Sequence, residues 1–186
     1  MKGKRESSIA TWPLSFVDLE MTGLEAQKHE IVEVGLVKVS PVDLSIIETW
    51  EIKVRPEHLE TADADALAIS GYKPEEWKDA ADLAEVMKIL SEKMHDTVLA
   101  GWNTAVDYSF LDAAVTKTGI PLEINSRIFD VNAYASGKLG FRFGEKGLST
   151  LSAELGISLE NHHTALADAM ACYEVYKKVS SEAAKQ

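Results

Sequence analysis

Asp18 and Glu20 stand two residues apart in Leu14-Ser-Phe-Val-Asp-Leu-Glu20, an otherwise apolar run that reads as a strand. Residues i and i+2 share one face of a strand, so the two carboxylates project together. Burying paired like charges is costly unless a cation neutralises them. Mg²⁺ suits a few carboxylates plus a substrate phosphate. The bland alternative is two solvated acids on an edge strand. The Thr22-Gly23-Leu24 turn that follows weighs against it, because it brings backbone N–H groups beside the pair.

Two further acids and a histidine have the same potential. Asp107 opens a helical pattern after Leu99-Ala-Gly-Trp-Asn-Thr-Ala-Val106, and acids favour a first helical turn on dipole grounds alone. Asp168 sits among Ala and Leu in an amphipathic helix, where an unpaired acid is unwelcome. His163 precedes it by five residues, which on one continuous helix means about 140° of separation. The two converge only if His163 lies in the loop or first turn before the helix. Asn161 and Thr164 are both suitable N-caps for such a start. A surface or capping histidine is the plain alternative. A neutral imidazole in that place could take a proton from water near physiological pH.

The elements that must position these residues are legible in outline. Strands are expected at 14–20, 30–40 and 44–54, the last two separated by Pro41-Val-Asp43 and all three forming an antiparallel meander. Helical periodicity covers 75–94 through Trp77, Leu83, Val86, Met87 and Leu90. A short strand at 97–100, a helix at 107–118 closed by Gly119, and a fifth strand at 127–129 follow. Helices at 148–155 and 164–179 complete the chain, the latter with Leu166, Met170, Tyr173 and Tyr176 inward. This order predicts an α/β fold: a mixed five-stranded sheet, a three-strand meander plus parallel strands, flanked by helices.

Composition bounds the reading. The 186 residues, 46% hydrophobic and 26% charged, suit one globular domain. Residues 1–10, basic but without an apolar run behind them, are expected to be a disordered leader, and 11–186 the domain. The one cysteine, Cys172, excludes an intrachain disulfide, reads as a buried thiol, and fits a reducing, cytoplasmic setting. No run is long and apolar enough for a membrane helix. The formal charge of −11 argues against tight binding to long duplex nucleic acid. It is softened if bound dications offset clustered acids and only a few terminal nucleotides are gripped. Lys138-Leu-Gly-Phe-Arg-Phe-Gly-Glu-Lys146 could stack and pair with a single strand. A surface loop with Phe141 or Phe143 anchored in the core is the favoured reading.

Taken in order, Phe16-Val-Asp-Leu-Glu-Met-Thr-Gly-Leu24, Gly101-Trp-Asn-Thr-Ala-Val-Asp-Tyr-Ser-Phe-Leu111 and His163-Thr-Ala-Leu-Ala-Asp168 resemble the motifs of DEDD exonucleases of the ribonuclease H-like superfamily. The likeness runs from about Leu14 to Val179. Thr164 stands where the tyrosine subgroup carries its Tyr, so the histidine subgroup is implied. The resemblance implies a 3′→5′ exonuclease that releases nucleoside 5′-monophosphates from single-stranded DNA or RNA 3′ ends. Asp18, Glu20, Asp107 and Asp168 would ligate two divalent cations, Mg²⁺ or Mn²⁺, with His163 as general base. The backbone at Met21 and Thr22 would contact the terminal 3′-hydroxyl, Leu24 would wedge against the last base, and Asn103 and Phe110 would support or contact the strand. Three positions depart from the pattern. Trp102 replaces a frequent His, Val106 a usual Phe, and Ser70 a His that contacts substrate in proofreading relatives.

Two rivals remain at this point. The Asp18–Leu24 motif is also similar to that of oligoribonucleases, which clear very short RNAs, while the later motifs look more like polymerase proofreading subunits. Only Ser180 to Gln186 follows the last helix, which argues against a stable polymerase partner; a homodimer is compatible with the sequence. The other rival is a non-catalytic binding or scaffold module, against which stands the presence of all five catalytic positions.

Overall fold

Strand β1 (Leu14–Met21) is the middle strand of the sheet, and the alternation of its side chains decides what each face meets. Val17 and Leu19 enter one apolar layer, and Phe16 enters the other. Asp18 and Glu20 share the parity of Phe16 and so its face. The computed structural model describes residues 11–158 and 164–183.

Strands β2 (Ile31–Val39) and β3 (Ile46–Lys53) extend β1 as an antiparallel meander. Strands β4 (Val98–Gly101) and β5 (Phe129–Asp130) add on its other side in parallel. The order is β3-β2-β1-β4-β5, the mixed five-stranded sheet expected from the sequence. Strand β2 is buried along nearly its whole length, because both of its faces are covered.

Helices α2 (Leu83–Met94) and α3 (Ala105–Thr118) cover the Val17 face. Val86, Met87, Leu90 and Met94 of α2, with Phe110, Leu111 and Ala114 of α3, pack there against Val34, Leu36 and Leu99. Helices α4 (Val131–Leu139), α5 (Leu148–Glu154) and α6 (Ala165–Ala183) cover the Phe16 face. Tyr173 of α6 is buried there against Phe16, ring centroids 5.6 Å apart, with Cys172, also buried, beside it. Among the described residues no helix is long and apolar enough to cross a membrane.

The helix expected over 75–94 is shorter. It starts at Leu83, where the Asp82 carboxylate accepts from the Glu85 N–H at 2.8 Å. Trp77 belongs to the preceding turns, held in the core by an Nε1–H bond to the Val32 carbonyl at 2.8 Å. Its spacing from Leu83 mimicked a helical stripe without being one. A 3-10 turn at Leu59–Thr61, the short helix α1 (Ala64–Ile69) and α4 were not expected from the sequence. Helix α4 contains Asn132, Ser136 and Gly137, weak helix formers, and owes its bounds to Asp130 capping Ala133 and to Gly140 in the left-handed region.

Candidate functional site

The site is assembled by a close approach at one glycine. Gly35 of β2 pairs with Asp18 of β1 across the sheet. A Cβ on Gly35 would lie 2.1 Å from the backbone of Ala165, so only glycine lets α6 begin directly on the sheet beside Asp18. The start of α6 is fixed by side chains: Glu51 of β3 accepts from the Leu166 N–H, and Thr164 from the Ala167 N–H, each at 3.3 Å. Asp168, one turn in, then meets the β1 pair. Carboxylate oxygens of Asp18, Glu20 and Asp168 lie within 4.8 Å of one another.

Asp107 arrives from the other side. After β4, Asn103 adopts a left-handed conformation (φ 58°), and its Oδ1 accepts from the Asn132 Nδ2 at 3.0 Å. The Thr104 N–H donates to the Asp130 carboxylate at 3.0 Å, and the Thr104 hydroxyl to the Phe129 carbonyl. These bonds set the start of α3, and with it Asp107 in the first turn, 5% exposed. Asp107 stands outside the tight trio, but its charge bears on Asp18.

Electrostatics say what this cluster can hold. Burial holds the Asp18 carboxyl well above the usual range, and the charges of Asp107, Asp168, Glu20 and Glu33 push it the same way. Burial, then Asp168, lifts Glu20 to about 7. Burial lifts Asp107 to about 7 against hydrogen bonds from its own backbone and that of Leu19. Acids packed this way do not all ionise at neutral pH unless cations join them. Hard oxygen donors in this number fit Mg²⁺ or Mn²⁺.

Two supporting acids were not expected from the sequence. Glu33, opposite Glu20 on β2, is 3% exposed; burial and a hydrogen bond to Glu51 raise it to about 8. The signal was an acid inside an otherwise apolar strand, two residues from the isolated Gly35. Asp130 ties the motif around Thr104 to the cap of α4. An Asp directly before a helical segment was its only mark.

A cleft of about 570 Å³ opens beside Glu20, walled by Met21, Gly23 and Leu24 on one side and by Asp63, Asp65 and Ile69 on the other. Leu24 is 77% exposed. Two of the positions expected to meet the strand are engaged within the protein. Thr22 has no free backbone N–H, since it donates to the Glu30 carbonyl at 2.9 Å, while the Thr22 carbonyl accepts from the Asp63 N–H. Phe110 is 2% exposed within the core, where it packs beneath the first turns of α3. Ser70 is turned away, its hydroxyl donating to the Leu67 carbonyl, and Ile69 takes the exposed place. In the 138–146 loop Phe141 packs against the core, whereas Phe143 and Arg142 are exposed. Helix α6 begins at Ala165, two residues after His163, and His163 itself lies outside the described residues.

A model of the exonuclease family (RNase_T) matches residues 15–176. The chain is 30% identical over 168 residues to the PolC-type DNA polymerase III of Latilactobacillus sakei, covering 90% of this chain and 11% of that protein. It is 26% identical over 162 residues to the PolC-type DNA polymerase III of Staphylococcus haemolyticus, covering 87% and 11%. The chain thus spans about a tenth of these curated relatives. Among solved structures it resembles E. coli Exonuclease I in complex with a dT13 oligonucleotide (TM-score 0.79, 18% identity, 94% of this chain and 42% of that one). It also resembles the nuclease domain of 3′hExo, a DEDDh family member, bound to rAMP (TM-score 0.78, 17% identity, 91% and 92%).

Proposed function

From the premise that this chain belongs to the exonuclease family, we propose that it removes nucleotides singly from the 3′ end of single-stranded DNA or RNA as nucleoside 5′-monophosphates. The observation that carries the proposal is the partly buried trio of Asp18, Glu20 and Asp168, with the buried Asp107 beside it, at the end of an open cleft. Asp18, Glu20 and Asp168 would hold one divalent cation, Mg²⁺ or Mn²⁺, and Asp18 with Asp107 a second; when bound, such ions ready a water for attack and stabilise charge on the leaving 3′-oxygen.

The remaining roles fall to this chain's own groups. His163 takes the proton of the attacking water at an imidazole nitrogen. The terminal nucleoside occupies the cleft, its base against Leu24 and Ile69. Met21 lies along its sugar. Asn103, with Oδ1 engaged by Asn132, presents its Nδ2 as a donor toward the strand. The PolC-type relatives support a DNA strand as one substrate. Chromatography of the released products tests the proposal. It predicts nucleoside 5′-monophosphates with Mg²⁺ or Mn²⁺ and none with chelator. Release of 3′-monophosphates or of longer fragments would refute it.

A further inference from the structure

The cleft beside Glu20 has a distinctive chemistry. Apart from Glu20, the polar side chains on its wall are Asp63 and Asp65, which when ionised can only accept hydrogen bonds. Its other side chains, Met21, Leu24, Ile69 and alanines, are apolar. A nucleoside held there is therefore recognised through donors that it presents itself.

Asp63 occupies the N-cap position of α1, yet its side chain makes no capping bond. Its carboxylate faces His29 instead, with Oδ2 3.6 Å from Nε2. The His29 ring is 1% exposed and packs on Gly23, where a Cβ would fall 2.5 Å from the ring. The Glu25 N–H donates to Nδ1 at 2.9 Å, which places the neutral ring's hydrogen on Nε2. That buried Nε2 has no hydrogen-bond partner. The group nearest to it across the 3.6 Å gap is the Asp63 carboxylate, an acceptor that the helix does not use.

The position of Asp63 along the cleft says which donor it meets. If the scissile phosphate lies at the carboxylate cluster, the terminal sugar, joined through its 5′-oxygen, fills the part of the cleft nearest Glu20. The base lies farther out, toward Leu24 and Ile69. Asp63 is hydrogen-bonded through its N–H to the carbonyl of Thr22, two residues beyond Glu20, and so belongs to the sugar end. We infer that Asp63 accepts a hydrogen bond from the 2′-hydroxyl of the terminal sugar, so that the enzyme favours a 3′-terminal ribonucleotide over a deoxyribonucleotide. The inference rests on the nuclease reading above. The 2′-hydroxyl is the group by which a protein tells RNA from DNA at a given position, and a site built to bind a hydroxyl discriminates against the analogue lacking it.

Three strands of identical DNA sequence, ending in a ribonucleotide, a deoxyribonucleotide or a 2′-fluoro nucleotide, test it through kcat/KM for the first cut. The fluoro end biases the sugar toward the ribose pucker but has no hydrogen to donate. For a half-exposed carboxylate the ribo end should exceed both others by about tenfold. Asp63→Ala should bring the ratios near one, Asp63→Asn, which keeps an acceptor oxygen, should retain part of them, and His29→Phe should reduce them. Loss of structure in a variant lowers all three rates together. Unchanged ratios in Asp63→Ala, or a fluoro end as good as the ribo end, would overturn the inference. Shortening of all three ends at one rate by the wild type sinks this inference alone. No shortening of any end sinks the nuclease reading and this inference with it.

Discussion

Asp18 is the residue on which the other acids act. The charges of Asp107, Asp168, Glu20 and Glu33 all act on it, and burial and these charges together raise its carboxyl well above the usual range. Asp18→Asn keeps its shape and removes one ionisable group from the cluster. The expected result is a metal-free melting temperature equal to or above that of the wild type, with the rise on adding Mg²⁺ lost. Thermal melts with and without Mg²⁺ check this, and an undiminished Mg²⁺ effect in the variant would contradict it. His163→Ala should lower turnover by roughly 10²–10⁴, the usual worth of general acid–base catalysis. Single-turnover rates on a short strand provide the check, and full activity would remove His163 from the mechanism. At this scale the site was readable where its logic is local. The i, i+2 spacing of Asp18 and Glu20 announces a shared face, and Asp168 among alanines announces an acid in need of a partner. The roles of Glu33, Asp130 and His29 were not readable, because each faces a residue distant in the chain: Glu20 and Glu51, Thr104, and Asp63.

The element that completes the site is α6, and Gly35 governs its seat. Gly35→Ala would force a methyl group against the Ala165 backbone, where there is no flexible side chain to give way. A cost of about 1–3 kcal/mol is expected for such overpacking. Because the displaced turn carries Asp168, Mg²⁺ affinity should fall with stability. Calorimetric titration of the folded variant separates the two. A destabilised variant with wild-type Mg²⁺ affinity would mean that α6 does not place Asp168 for the metal. The sequence located α6 within a few residues, since its apolar spacing and Thr164 cap are local signals. It could not show that α6 begins on Gly35, which depends on β2 and α6 meeting across more than a hundred residues of chain. Helix α4 escaped notice for a related reason: packing of Val131 and Ala135 under α6, not intrinsic propensity, makes it a helix.

For the whole molecule, the raised acids set a pH dependence. Glu20 and Asp107 titrate at about 7 and Glu33 at about 8 when folded, whereas the unfolded chain releases these protons near ordinary carboxylate values. Between about pH 4 and pH 8 the folded state therefore binds more protons than the unfolded state. Its cation-free stability is greatest below that window with respect to these groups and is lost as pH rises through it. Divalent cations replace the protons. The melting temperature gained on adding Mg²⁺ should thus be larger at pH 8 than at pH 5. An equal gain at both would place Mg²⁺ elsewhere on this acidic surface. The three-layer arrangement itself was legible, because three strands ahead of alternating strands and helices leave few ways to cover both faces of the sheet.

The most direct test of the account follows a 5′-labelled strand, in DNA and RNA forms of two to five nucleotides and of longer length. Each is incubated with the wild type or Asp18→Asn, with Mg²⁺, Mn²⁺ or chelator. The account predicts a ladder shortening one nucleotide at a time from the 3′ end, present with metal and absent with chelator or Asp18→Asn. An intact strand under every condition, or a ladder that persists in Asp18→Asn, would contradict it.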